Sequence, residues 1–237
     1  KFHPNKLDLY FLKNNKKICD LDISIFNNDD LKYTTIKRST LVKFLKEKVP
    51  DSLINYNKKV VKVHEGLEKI KINFQDNSLV ECDYLVISDG VFSSTKSAIA
   101  NKEIKPEYFN SIALRATVEK KIIENVNQNN ISLFLGSNLH SVIYPIDQSN
   151  KFNFVGILRK KLTFKEINNY SLFKEKTFIS SIISKISEQI HPMILSNLEN
   201  IKCFPIFVSK EIYSIKKKNV FLIGDAFFAY PPSFAQG

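Results

Sequence analysis

Hydrophobic and polar positions alternate with two different periods along this chain, which predicts both strands and helices. Loose alternation over Leu7–Leu12 and Lys17–Ile25 predicts a β-hairpin. An amphipathic helix is predicted after Ser39-Thr40, a favoured N-cap pair, because apolar residues then recur with helical spacing until Pro50: Leu41, Phe44, Leu45 and Val49.

Two short segments are apolar at nearly every position, and each is followed by an aspartate beside a glycine. Tyr84–Ser88 precedes Asp89-Gly90, and Val220–Ile223 precedes Gly224-Asp225. Continuous apolar character over this length is typical of a strand buried on both faces, as in a parallel sheet. Three further short strands are predicted upstream, at Val60–His64, Lys69–Phe74 and Leu79–Cys82.

The middle of the chain changes to several alternating strands and then to helical spacing. An antiparallel sheet is predicted from Ile112–Val118, Ile131–Leu135, Ser141–Tyr144 and Phe152–Leu158. Leu162–Leu198 is predicted to be mostly helical, and Cys203–Val208 returns as a strand. We therefore predict a mixed α/β fold of the α+β kind, in which an α/β layer is interleaved with an antiparallel sheet.

The two aspartates are the strongest chemical feature of this pattern. Ligands of an open α/β sheet lie beyond the carboxyl ends of its strands, which is where Asp89 and Asp225 fall. A carboxylate there accepts hydrogen bonds from the hydroxyls of a ribose or ribityl chain, and Gly90 and Gly224 let the backbone approach a ligand closely. Either pair alone indicates only a turn, but the two together predict one shared nucleotide site.

Composition and charge argue against a nucleic-acid-binding protein, a metal site and a membrane span. The 237 residues are 43% hydrophobic and 25% charged, with a formal net charge of +11. Because the lysines are scattered and no arginine cluster occurs, this charge favours attraction of anionic ligands over nucleic-acid binding. Three separated cysteines without metal-ligand spacing indicate reduced thiols in a cytoplasmic protein and no metal site. No segment of the sequence has the length and apolar character of a membrane span.

The glycines and the chain ends indicate part of a longer protein. No two of the six glycines are separated by one residue, so the phosphate-binding fingerprint G-x-G-x-x-G does not occur. The only methionine is Met193, and the chain ends within a turn-like segment. We therefore expect a piece that is incomplete at both ends, with a processed N-terminus as the alternative.

Four stretches of the sequence carry a resemblance to a known family. The first three are Ile36–Leu41, Cys82–Gly90 with Ser93, and Val220–Ala226 with Pro232, Gln236 and Gly237. The fourth comprises Arg115–Thr117, Leu135–His140, Tyr144-Pro145 and Asn153–Val155. Together they resemble the flavin-dependent aromatic hydroxylases of the p-hydroxybenzoate hydroxylase fold. The fourth stretch is similar to the salicylate, 3-hydroxybenzoate and 6-hydroxynicotinate hydroxylases.

The resemblance implies an FAD site and a division into two domains. The residues that it assigns to FAD are Arg38, Asp89, Gly90, Gly224, Asp225, Pro232, Gln236 and Gly237. It implies an FAD-binding domain made of residues 31–104 and 216–237, and a substrate-binding domain made of residues 1–30 and 105–215. The sequence departs from the family pattern in the missing fingerprint, in Lys96 where an arginine is usual, in Phe227-Phe228 where histidine is frequent, and in Ala235 where glycine is common.

The resemblance also implies an activity: hydroxylation of a small phenolic or hydroxylated heteroaromatic acid with NADH or NADPH and O2. His140 is expected to act as a base toward the phenol and Tyr144 to hydrogen-bond the substrate, because residues four apart in a strand share a face. Taken from the residues alone, His140 is a hydrogen-bonded strand-end histidine and Tyr144 is sheet packing. A hydroxylase of a larger ring, such as a quinone precursor, and an inactive FAD-binding remnant are the alternatives.

Overall fold

The described residues form two compact units. The computed structural model describes residues 1–28, 30–66, 69–119, 127–146, 151–186, 200–213, 215 and 218–232. The first unit combines Lys1–Lys48 with Asn110–Pro205, and the second combines Val49–Phe109 with Ile206–Gly237.

These boundaries differ from the predicted division at residues 31–48, 105–109 and 206–215. Segment 31–48 falls in the first unit because Thr35 forms backbone hydrogen bonds with Phe2 and its hydroxyl donates to the carbonyl of Pro145. The assignment of FAD and substrate roles to the segments stays a prediction.

The fold contains twelve strands and five α-helices among the described residues. In chain order they are β1 (Lys6–Phe11), β2 (Lys17–Asp22), α1 (Arg38–Lys46), β3 (Val60–Glu65), β4 (Ile70–Phe74), β5 (Leu79–Cys82), β6 (Leu85–Ile87), α2 (Ser94–Ala100), β7 (Glu107–Glu119), β8 (Ile131–Leu135), β9 (Leu139–Pro145), β10 (Lys151–Arg159), α3 (Phe164–Asn168), α4 (Lys176–Ile186), β11 (Lys202–Val208), β12 (Val220–Leu222) and α5 (Gly224–Phe227).

A seven-stranded sheet is the framework of the first unit. Its strands lie in the order β11-β7-β10-β9-β8-β1-β2. The predicted hairpin and the predicted antiparallel sheet are confirmed, because β1 pairs antiparallel with β2, and β7, β10, β9 and β8 pair antiparallel in turn. The β1–β8 pair, which joins hairpin and sheet, is parallel.

One face of this sheet carries the larger hydrophobic core. Alternate residues of β7, β9 and β10 point to it, as the period of two in a strand requires, and helix α4 contributes Ile179, Ile182 and Ile183. Phe154 is fully buried at the centre of β10. The other face of β9 and β10 is half-buried, since their burial alternates strictly from residue to residue. The side chains on this second face are therefore only partly covered.

Two helix predictions are confirmed in type and corrected in detail. Helix α1 forms where predicted, but it begins at Arg38 with Lys37 as N-cap and no capping side chain, so Ser39 and Thr40 lie inside it. None of its residues is buried, because no other described element covers its apolar stripe. In the predicted helical segment 162–198, α3 and α4 form as expected, and residues 187–199 lie outside the described part.

The second unit contains a three-stranded meander and a parallel pair of strands. The three predicted strands β3, β4 and β5 are confirmed, and they pair antiparallel in sequence order. The turn at residues 75–78 joins β4 to β5. Strand β6 pairs parallel with β12, residue by residue from Leu85–Val220 to Ile87–Leu222. A second hydrophobic cluster contains Ile70, Ile72, Ile87, Ile99 and Val220.

The prediction that β6 and β12 are buried on both faces is wrong. Ile87 and Val220 are buried, but Val86 is 55% exposed and Phe221 is 48% exposed. Within the described residues the two strands pair only with each other, and just one face of the pair packs on the hydrophobic cluster. The continuous apolar runs therefore predicted the positions of the strands correctly but predicted too much burial for them.

A buried carboxylate joins the hairpin to the sheet. Asp8 on β1 is 1% exposed, accepts a 2.8 Å hydrogen bond from the side-chain amide of Asn130 and lies 2.8 Å from the Lys17 ammonium group on β2. A buried charge is tolerated only when it is paired and hydrogen-bonded. The three residues therefore stabilise each other and help to fix β1 between β2 and β8.

Replacing Asn130 by alanine is expected to lower the free energy of unfolding by about 1.5–3 kcal/mol, because a hydrogen bond to a buried charged group is lost. Chemical denaturation monitored by circular dichroism measures the change. Asn129→Ala, at the exposed neighbouring position, is the matched control. Equal stability of the two variants would contradict a stabilising role for the buried carboxylate.

Candidate functional site

The two sequence-predicted aspartates lie at the same edge of the second unit. Strands β6 and β12 are parallel neighbours that end in register, with Ile87 opposite Leu222. Asp89 and Asp225 follow these ends by two and three residues and are both exposed. The carboxyl ends of the pair therefore present two carboxylates to solvent on one side of the unit, as the sequence predicted from strand ends alone.

Each carboxylate has an open environment. Asp89 accepts a hydrogen bond from the backbone N–H of Thr95 at 3.2 Å, near the start of α2. Asp225 lies in the short helix α5, and no hydrogen bond or ion pair reaches its carboxylate within the described part of the chain. Free acceptor oxygens of this kind suit the hydroxyls of a sugar-like chain.

The glycines beside the aspartates are required by the backbone. Gly90 has φ +85° and Gly224 has φ +57°, conformations that residues with a Cβ adopt at a cost. A Cβ built on either glycine would meet no atom within 4 Å. The space next to both peptides is therefore empty, and a planar or extended ligand can approach the backbone there.

The segment after Asp89 turns into helix α2 through a side-chain cap. The Ser93 hydroxyl accepts the backbone N–H of Lys96 at 3.0 Å, which satisfies one of the free donors at the helix start. This cap fixes the loop that carries Asp89 and Gly90 and directs Lys96, the residue that replaces the usual arginine, into the unit, where it is buried.

The remaining predicted cofactor residues are distributed between the two units. Arg38 is exposed at the first position of α1 in the first unit. Pro232 is exposed after α5 in the second unit. Gln236 and Gly237 lie outside the described residues. The structure therefore brings together Asp89, Gly90, Gly224 and Asp225, and the contribution of the other four to one site stays a prediction.

His140 and Tyr144 lie on the half-buried face of the seven-stranded sheet. They alternate along β9 with the buried Leu139, Ser141, Ile143 and Pro145. In the sheet register His140 lies opposite Ile157, and Tyr144 lies opposite Asn153. The shared face that their spacing predicted is therefore present, although their catalytic roles stay predictions.

Burial changes the proton affinity of both side chains. It lowers the pKa of His140 below its usual range, because the imidazolium form is poorly solvated. It raises the pKa of Tyr144, opposed by hydrogen bonding to Asn153 and by the charge of Arg115. At neutral pH the face therefore offers a neutral imidazole, able to accept a proton, and a neutral phenol, able to donate a hydrogen bond.

Asn153 is a site residue to which sequence reasoning gave no role. It lies on β10 directly between Tyr144 of β9 and Thr117 of β7, and it hydrogen-bonds Tyr144. The signal was a polar residue inside an otherwise apolar alternating strand, which is costly unless the residue has a partner. Arg115 lies one step further along the same face of β7.

The described residues contain no group of three or more side chains of the types that could hold a metal ion. Their helices include none whose length and apolar character would let it cross a membrane.

Comparison with known sequences finds distant relatives among flavin enzymes. No protein-family model matches the chain. It is 24% identical over 139 residues to an FAD-dependent monooxygenase of Gibberella moniliformis, covering 56% of the chain and 32% of that protein. It is 27% identical over 84 residues to 6-hydroxynicotinate 3-monooxygenase of Bordetella bronchiseptica, covering 35% of the chain and 22% of that protein.

Solved structures give a match over the entire chain. The Klebsiella pneumoniae HpxO complex with FAD and uric acid superposes with a TM-score of 0.79 at 13% identity, over 100% of this chain and 60% of that one. A salicylate hydroxylase substrate complex superposes with a TM-score of 0.75 at 16% identity, over 100% of this chain and 61% of that one. The chain thus has the fold of the FAD-dependent aromatic hydroxylases, which confirms the predicted fold class and resemblance, and it spans about 60% of the length of these neighbours.

The lowered pKa of His140 predicts that its imidazole takes up a proton only at a lower pH than an ordinary histidine does. The midpoint of its imidazole resonances, followed by NMR, is expected below the ordinary value of about 6.5. Because the folded state binds this proton less readily than the unfolded state, the residue also destabilises the fold as the pH falls below that value. A His140→Gln variant identifies the resonances, and a midpoint at or above the ordinary value would contradict the burial argument.

Proposed function

We propose that the intact protein is an FAD-dependent monooxygenase that hydroxylates a small phenolic or hydroxylated heteroaromatic acid, with NADH or NADPH as reductant and O2 as oxidant. The observation that carries the proposal is the pair of open Asp-Gly segments at the adjoining carboxyl ends of β6 and β12. The distant relatives with FAD-dependent monooxygenase and 6-hydroxynicotinate 3-monooxygenase in their names support it.

The residues present fit FAD. The exposed carboxylate of Asp225 has free acceptor oxygens for ribityl or ribose hydroxyls, and the empty space beside Gly90 and Gly224 admits a ligand against the backbone. We assign Asp89 and Asp225 to hydroxyl recognition, and Arg38, Pro232, Gln236 and Gly237 to further contacts with the cofactor. When bound, FAD supplies the redox chemistry: two electrons come from NAD(P)H, one oxygen atom of O2 enters the ring and the other leaves as water.

The polypeptide binds the aromatic acid and activates its ring. We place the substrate on the half-buried face of the sheet, where the neutral Nε2 or Nδ1 of His140 accepts the phenol proton. The resulting phenolate carries more electron density on the ring and is the better nucleophile. Tyr144 donates a hydrogen bond that orients the substrate, and Asn153 holds the Tyr144 ring across the strand pair.

The cysteines support a reducing compartment for this chemistry. Cys19, Cys82 and Cys203 are all free thiols, and burial raises the pKa of Cys203 to about 12, which keeps it a neutral thiol. Free thiols are typical of cytoplasmic proteins. We therefore propose that the enzyme is cytoplasmic. The scattered lysines and the lack of an arginine cluster in the sequence support a small aromatic substrate and no nucleic-acid partner.

Replacing Asp225 by alanine in the full-length protein is expected to weaken FAD binding roughly ten- to hundredfold, because hydrogen bonds to a charged acceptor are lost. Flavin absorbance after gel filtration and a fluorescence titration measure the loss. Asp83→Ala, an exposed aspartate just before β6, is the matched control and is expected to retain FAD. Full flavin content in the Asp225 variant would remove that residue from the cofactor site.

Replacing His140 by glutamine is expected to lower kcat by about 10²–10⁴ at neutral pH, the usual contribution of a general base. Activity is expected to recover as the pH approaches about 10, where a phenol ionises unaided. Turnover of 6-hydroxynicotinate, salicylate and larger hydroxylated rings across this pH range is the measurement. His64→Gln, on the exposed surface, is the control. Unchanged turnover at every pH would exclude His140 as the base.

A further inference from the structure

A small cavity in the second unit is lined mainly by charged side chains. It has a volume of about 200 Å³, and the ionisable residues around it are four lysines and two glutamates: Lys96, Lys102, Lys105, Lys210, Glu103 and Glu211. All of them belong to one compact unit. None is assigned above to FAD or to the aromatic substrate, so the cavity has no role in the proposed reaction.

Lys96 is buried in a way that is unusual for lysine. It is only 4% exposed, and within the described residues its ammonium group forms no hydrogen bond or ion pair. Lysine is almost never fully buried unless it is paired, because removing its charge from water is costly. Burial lowers the pKa of Lys96, and the charge of Asp89 opposes that effect only in part. The fold therefore holds a poorly solvated amine beside an open volume.

The other charges leave the cavity positive. Glu103 is paired with Lys105 at 2.8 Å, and the Lys102 ammonium group lies 5.8 Å from the centre of the Tyr213 ring. Four lysines against two glutamates give the lining a net charge of two positive units. A phosphate monoester carries about −1.5 to −2 near neutral pH, so its charge matches that of the lining.

We propose that this cavity binds a phosphate group, with Lys96 as its principal contact and with Lys102 and Lys210 at its margin. Ammonium groups hold phosphate as point charges that donate up to three hydrogen bonds each. The volume is below the roughly 300–1,000 Å³ typical of sites for larger ligands. It accepts one phosphate group and excludes a whole dinucleotide. The phosphate is either free or the end of a nucleotide whose remainder stays outside.

The test is a titration of the full-length protein with inorganic phosphate, with FAD saturating and ionic strength held constant. Isothermal calorimetry and the thermal midpoint are expected to show saturable binding by the unaltered protein. Lys96→Met is expected to weaken binding by about tenfold or more, because the buried charge is lost. Without phosphate this variant is expected to unfold at the same or a higher temperature, because its methylene stem stays packed and a poorly solvated charge is removed.

The matched controls separate the cavity from general charge effects. Lys62→Met, at an exposed lysine on β3 in the same unit, is expected to bind phosphate within about twofold of the unaltered protein. If Lys96→Met does not fold, Lys210→Met, at an exposed lysine of the cavity, takes its place and is expected to weaken binding severalfold. No saturable binding by the unaltered protein, or equal binding by the cavity variants, would overturn the proposal.

Two further ligands identify the source of the phosphate. Tighter binding of AMP than of inorganic phosphate, with no binding of adenosine, assigns the site to the phosphate of a nucleotide. Equal binding of AMP and inorganic phosphate assigns it to free phosphate. Binding of adenosine as strongly as AMP would overturn the proposal, because recognition would then not depend on the phosphate group. These readouts do not depend on hydroxylase activity.

Discussion

The parallel pairing of β6 with β12 is the constraint on which the proposed cofactor site depends. Two backbone hydrogen bonds outside the strand core, Leu85 N–H to Asn219 O at 2.9 Å and Ile223 N–H to Ile87 O at 3.0 Å, close the register at both ends. A shift by one residue would reverse the faces of one strand and move its aspartate along the edge. The exact register therefore matters more to the site than the identity of any residue inside the strands.

Much of the fold, and the position of four of the eight proposed cofactor residues, could be predicted because the relevant signals are local. A period of two assigned His140 and Tyr144 to one face of β9, and strand ends placed Asp89 and Asp225 at one edge. The fold class and the family resemblance followed from the same motifs and are confirmed by the solved structures. The catalytic roles depend on a bound substrate and cannot be obtained from strand geometry.

Other features could not be predicted because they depend on which elements surround a segment. The apolar run of β6 is the same whether one face or two are covered, so Val86 was expected to be buried and is exposed. The helical spacing of α1 predicted its stripe of Leu41, Phe44 and Leu45, but not that the stripe lies open. Lys96 was noted only as a substitute for arginine, and its burial is visible only in three dimensions.

The parallel contact between β1 and β8 has a consequence for biosynthesis. The β1–β2 hairpin is made long before its partner strand leaves the ribosome, a delay on the order of ten seconds at ordinary rates of translation. During that interval one hairpin edge is unpaired and Asp8 lacks Asn130. Non-local strand pairing of this kind slows folding, and it leaves unpaired strand edges that can aggregate. The edge of β1 that pairs with β8 in the folded protein therefore stays open until β8 has been synthesised.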